Sequence, residues 1–112
     1  MRLRIVADER GGRWIARAED EETGRPFGIE CAGATEREAL ERMSRWLDWQ
    51  RDHTAALEAL QSAERAYYRA IAGSAFANPV EEPGALEAQK TSLDAVDAAR
   101  IRLDEARARR PQ

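Results

Sequence analysis

Phe27-Gly28-Ile29-Glu30-Cys31-Ala32-Gly33-Ala34-Thr35-Glu36-Arg37-Glu38-Ala39-Leu40 is the stretch on which the fold turns. Up to Gly33 the apolar residues alternate, the period of a strand with one buried face. After Gly33 they recur every three or four residues, the period of a helix, and they do so almost to the end of the chain. Thr35-Glu36-Arg37-Glu38 has the form of a capping box. Its Thr35 hydroxyl is expected to accept from the Glu38 amide while the Glu38 carboxylate reaches back to the Thr35 amide. The expected architecture is α+β: a three-stranded antiparallel sheet packed on a long helix that continues into an antiparallel two-helix coiled-coil hairpin.

Working back from Gly33, Phe27, Ile29 and Cys31 share one face, and Gly28, Glu30 and Ala32 take the other. A polar loop, Asp20 to Pro26, separates this run from Arg13 to Glu19, where Trp14, Ala16 and Ala18 alternate with Arg13, Ile15, Arg17 and Glu19. Gly11-Gly12 then joins that run to Leu3, Ile5 and Ala7, which alternate with Arg2, Arg4 and Val6. Two runs linked by Gly-Gly read as a hairpin. One sheet face is apolar and needs a cover. The other carries Arg2, Arg4, Arg13 and Arg17 beside Glu19 and Glu30, and a wet face of that kind is ordinary for an antiparallel sheet.

Working forward, the helix is expected to run without Gly or Pro to about Ala72, with Gly73 as its C-cap. That is about 38 residues, or roughly 57 Å, far more than the sheet can cover. Ala39, Leu40, Met43 and Leu47 are assigned to the sheet. Met43, Trp46, His53, Leu57, Leu60, Tyr67 and Ile71 form a seam interrupted by Gln50 and Glu64. Residues 73–84 read as a loop whose tip Phe76 and Val80 close, with Glu81, Glu82 and Pro83 suited to a helix start. A last helix, about Ala85 to Arg109, carries the stripe Leu86, Leu93, Val96, Ala99, Leu103 and Ala106 and is expected to fold back on the first. Residues 1–50 are thus the head and 51–112 the arm of one continuous domain. Ala-rich seams bury little area, so the arm is expected to self-associate as a homo-oligomer.

Composition narrows the function. The chain has 112 residues, 35% of them charged, and a formal net charge of −3, which by itself points to neither nucleic acid nor membrane. Lysine occurs once, at Lys90, so 17 of the 18 basic residues are arginine. Arginine forms planar bidentate pairs that lysine does not. Cys31 is the single cysteine, which excludes an intrachain disulfide. No apolar run is long enough to span a bilayer, and the first residues lack a signal-peptide pattern, so a cytoplasmic protein is expected.

His53 is the single histidine, too little for a metal site with Cys31 across the Gly33 boundary. No nucleophile, base and orienting carboxylate fall into a catalytic spacing. The chain is therefore read as a non-enzyme without cofactor, metal or catalytic residues. Trp46 and Trp49 lie a turn apart on the helix, with Arg42 and Arg45 each four residues earlier, a spacing that allows stacking on the rings. Trp46 reads as a cover for the joint between head and arm. Trp49 is either that or an aromatic anchor for a partner, and Tyr68 stands exposed if Tyr67 faces the seam. The partner-binding candidates are Arg2, Arg4, Arg13, Arg17, Trp49 and Tyr68.

Trp14-Ile15-Ala16-Arg17-Ala18-Glu19-Asp20 followed by Gly33-Ala34-Thr35-Glu36-Arg37-Glu38-Ala39-Leu40 resembles the HicB-like antitoxin family over residues 1–50. The likeness lies in the order strand, strand, strand, helix and in the Gly-x-Thr-x-x-Glu-Ala segment that opens the helix. The resemblance implies a non-catalytic head that binds another protein. The family's Asp-x-Pro-Gly loop is absent, and a helical hairpin stands where its operator-binding segment lies. The resulting expectation is a protein–protein interaction module, an antitoxin-like inhibitor or adaptor. The alternatives are a nucleic-acid-binding regulator using the Arg-rich sheet face and a structural subunit of a larger assembly.

Overall fold

The computed structural model describes residues 2–75 and 84–111. Three strands, β1 (Leu3–Arg10), β2 (Arg13–Asp20) and β3 (Pro26–Gly33), precede two helices, α1 (Glu36–Ala75) and α2 (Ala85–Ala108). The protein is α+β, with a three-stranded antiparallel sheet, one long helix and a second helix. The described residues divide into two compact units, one running to Gln50 with Pro111, the other Arg51–Arg110.

In the first unit the sheet is a meander, β1-β2-β3. Arg10 and Arg13 are directly paired across the two-residue loop Gly11-Gly12, whose φ values are +57° and +80°. Two consecutive positive φ angles make the type I′ turn that suits strand twist. The register pairs Ile5 with Ala18 and Ala7 with Ala16, and continues from Ala16 to Cys31 and from Ala18 to Phe27. That face is covered by Ala39, Met43 and Trp46 of α1, with Leu40, Leu47 and Trp49 at the margin. Alanines at 16, 18 and 39 let backbone approach backbone, and the larger Met43 and Trp46 fill the space between.

Strand β3 departs from simple alternation. Between Ala16↔Cys31 and Ala18↔Phe27, β2 advances two residues and β3 four, so Gly28, Ile29 and Glu30 stand against Arg17 alone. This bulge reverses two sequence expectations. Ile29, expected under cover, is 46% exposed. Gly28, expected on the wet face, lies against the Trp46 ring with φ +77°. The inserted residues keep Phe27 and Cys31 on the covered face because their number is even.

The start of α1 follows the capping box with one change. The Thr35 hydroxyl accepts from the Glu38 amide at 3.1 Å, but the Glu38 carboxylate accepts from Ala34, not Thr35, at 3.2 Å. Its other oxygen lies 2.7 Å from Arg42, which also donates to the Ala32 carbonyl at 2.7 Å. Helix start and strand end are therefore tied through one arginine, the one expected to stack on Trp46.

In the second unit, Ala56 of α1 packs with Leu103 and Ala106 of α2, flanked by Leu57 and Leu60. Within this unit the beginning of its part of α1 meets the end of α2, the arrangement of an antiparallel hairpin. Of the expected α2 stripe, Val96, Leu103 and Ala106 are buried and Ala99 half-buried, whereas Leu86 is 67% and Leu93 40% exposed. The expected α1 stop is also displaced: Gly73 lies inside the helix, which runs on to Ala75. Met43 lies in the sheet core, as its assignment to the sheet expects, and Trp46, placed in the arm seam from sequence, joins it there. The expected roles of Phe76, Val80, Glu81, Glu82 and Pro83 fall outside the described residues. Among the described residues no helix is long and apolar enough to cross a membrane.

Candidate protein-binding face

The uncovered face of the sheet collects the side chains that alternate with the core. Cross-strand partners share a face, so the rows run Arg4–Glu19–Pro26, Val6–Arg17, Asp8–Ile15–Ala32 and Arg10–Arg13. Glu19 is the hub. Its Oε1 accepts from Arg4 Nε at 2.7 Å, and its Oε2 lies 3.6 Å from Arg17 Nε. Glu19 is only 8% exposed although it lies on the open face, because the guanidinium groups cover it. Arg17 Nη1 donates to Asp8, and that bond raises the Arg17 pKa further while burial opposes it. At the turn end, Arg10 Nη1 sits 3.5 Å from Glu30.

An exposed ion pair contributes little on its own. A carboxylate as enclosed as Glu19 is different, since removing its guanidinium partners strands a charge with little water. The network therefore holds the arginines in place. Between the ion pairs, Val6, Ile15 and Ala32 are half-buried with no element of the sheet unit over them. The face thus mixes small apolar patches with fixed planar donors, and each arginine has N–H groups beyond those its carboxylate uses.

Of the candidates from sequence, Arg4, Arg13 and Arg17 lie on this face. Arg2 precedes β1, is exposed, and its carbonyl accepts from the Glu21 amide at 3.0 Å. Trp49 is not part of the face: it is half-buried and packs against the core under the sheet. Tyr68 is 63% exposed on α1 in the second unit, its ring 5.9 Å from that of Tyr67. The structure thus gathers three of the six and disperses the rest.

Asp8 and Arg10 belong to the face and were missed. The signal was present, since Arg4, Val6, Asp8 and Arg10 continue the same period-two series through β1. The turn composition of Asp8-Glu9-Arg10 hid it.

Elsewhere in the sheet unit, Cys31 is half-buried and burial raises its thiol pKa, with Arg42 opposing. Trp46 Nε1 and Gln50 Oε1, one helical turn apart, are both buried and form no hydrogen bond. Among the described residues no group of His, Cys, Asp and Glu has the arrangement of a metal site. No protein-family model, curated protein or solved structure matches the chain.

Proposed function

We propose that the chain is a non-enzymatic protein-binding module whose open sheet face docks an acidic surface of a partner protein, in the manner of an antitoxin-like inhibitor or adaptor. The observation that carries this reading is the placement of Arg10 directly opposite Arg13, with Glu30 3.5 Å from Arg10 as the nearby counter-charge. Like charges directly across a strand pair are unfavourable, and a carboxylate from a partner relieves them. Arginine is also among the residues in which protein interfaces are enriched. Binding of a single-stranded nucleic acid fits less well, because no aromatic ring stands among the paired residues of this face to stack a base. Placement in the cytoplasm belongs to the same reading.

The test is affinity purification from the native cell with the wild-type chain and with the triple variant Arg10→Glu, Arg13→Glu, Arg17→Glu. The expected result is one protein at equal stoichiometry on the wild type, lost on the variant. Retention by the variant moves the contact to the arm. Recovery of nucleic acid, read by 260/280 nm absorbance and weakening steeply with salt, overturns the reading in favour of a nucleic-acid regulator.

A further inference from the structure

We propose that one internal water molecule is part of the sheet unit and bridges Trp46 and Gln50. Its oxygen accepts from the indole Nε1–H, and it donates to the side-chain oxygen of Gln50. The inference does not depend on what the open sheet face binds.

Trp46 is only 8% exposed, and its Nε1 is enclosed with no hydrogen-bond partner. The Oε1 of Gln50 is enclosed and unpartnered in the same way. Both residues belong to the sheet unit. An indole nitrogen only donates, and an amide oxygen only accepts. A buried polar group without a partner is costly, and folded proteins keep few of them. Here two complementary ones stand a single turn apart on α1.

The backbone does not supply the missing partners. Trp46 lies between α1 and the covered face of the sheet. Carbonyls inside a helix are spent on amides four residues further on, and those of paired strands lie in the plane of the sheet, not out of its face. The side chains that share its core, among them Ala16, Ala18, Met43 and Phe27, carry no acceptor. The contact with β3 is made by the other end of the ring, since Cζ3 and Cη2 are the atoms nearest a Cβ at Gly28.

Helix geometry makes Gln50 the second half of the site. Residues four apart on a helix are neighbours, with Cβ atoms about 5–6 Å apart, and helical side chains lean toward the N-terminal turn. The Gln50 amide therefore leans over the turn that carries Trp46. No direct bond joins the two, so the pair needs one group that accepts and donates at once. A carboxylate only accepts, and an ammonium or guanidinium only donates. A hydroxyl does both. Water is its smallest carrier and brings no carbon skeleton into the core, and a buried water ordinarily has about two to four such partners. The bridge also gives Gln50 a role, because Gln50 is the polar residue that breaks the apolar series of α1 one turn after Trp46.

The test is water–protein NOE and ROE spectroscopy on the isotope-labelled full chain, read at the Trp46 indole N–H. The three tryptophans give three indole signals, and Trp46→Phe assigns the one that disappears. The expected result is a cross-peak at the water frequency whose sign marks dipolar contact with a resident water, not proton exchange. Gln50→Leu should abolish that cross-peak and move the indole proton upfield, because the bridge loses its acceptor. Gln50→Glu keeps an oxygen at the same reach and should keep the cross-peak. If Gln50→Leu does not fold by circular dichroism, the wild-type spectrum decides by itself. An indole N–H protected from exchange that shows no contact with water overturns the proposal. An exchange-type cross-peak does the same, since it means an indole open to bulk solvent, and so does a cross-peak unchanged in Gln50→Leu. An organic mass carried by the chain in native mass spectrometry, with indole contacts to its carbon-bound protons, makes the occupant a small alcohol and overturns the assignment to water.

Discussion

A Cβ built on Gly28 would lie 2.5 Å from both Cη2 and Cζ3 of Trp46. The indole is packed on backbone, and the bulge in β3 supplies that backbone. Two requirements meet at Gly28: a φ of +77°, and no side chain. Gly28→Ala is expected to destabilise the protein by about 2–4 kcal/mol, the sum of the left-handed backbone cost and overpacking. Trp46→Phe removes the two clashing ring carbons. The double variant should therefore lose less than the sum of the singles in urea unfolding. Additive losses would mean that the ring and the bulge are not coupled.

How far this arrangement was legible follows from parity. A two-residue insertion leaves Phe27 and Cys31 on the same face, so the alternation through β3 looks unbroken in the sequence. Gly28 alone carried the signal, and a glycine in a strand has several meanings. The hairpin at Gly11-Gly12, the change of period at Gly33 and the Thr35 cap were readable because each depends on neighbours in sequence. The enclosure of Glu19 was not, since it depends on guanidinium groups from two strands meeting over one carboxylate.

Gly73 tests the opposite case. It lies inside α1, and a Cβ there would meet nothing within 4 Å. Glycine in a helix interior costs up to about 1 kcal/mol relative to alanine. Gly73→Ala should therefore raise stability by about 0.5–1 kcal/mol. A helix that ended at Gly73 in a left-handed cap would give the reverse sign, so the direction of the urea midpoint shift is diagnostic.

Cys31 offers a pH test. Burial raises its thiol pKa above the ordinary value of 9.0, against the pull of Arg42. The folded state then holds its proton at a pH where the unfolded chain has lost it. Stability should be fully present below pH 9.0, fall as pH rises from there, and level off above the folded pKa. Cys31→Ala removes that part of the slope. The native thiol should also react more slowly with iodoacetamide than the unfolded one, because the thiolate is the nucleophile. Equal rates in native buffer and in urea would show that the thiol is not held by the sheet.

The hairpin makes unequal use of its leucines. Leu103 is buried against Ala56, whereas Leu86, on the same sequence stripe, is 67% exposed. The pattern of apolar residues sets which face of α2 is apolar, but not how much of it meets α1. Leu103→Ala should cost about 2–4 kcal/mol, the transfer and cavity terms of a buried leucine. Leu86→Ala should change stability by less than about 0.5 kcal/mol, as exposed substitutions do. Both are read by thermal unfolding at several protein concentrations. A large, concentration-dependent loss at Leu86 would mean that a second chain covers it, and would move part of the interaction surface from the sheet to the arm.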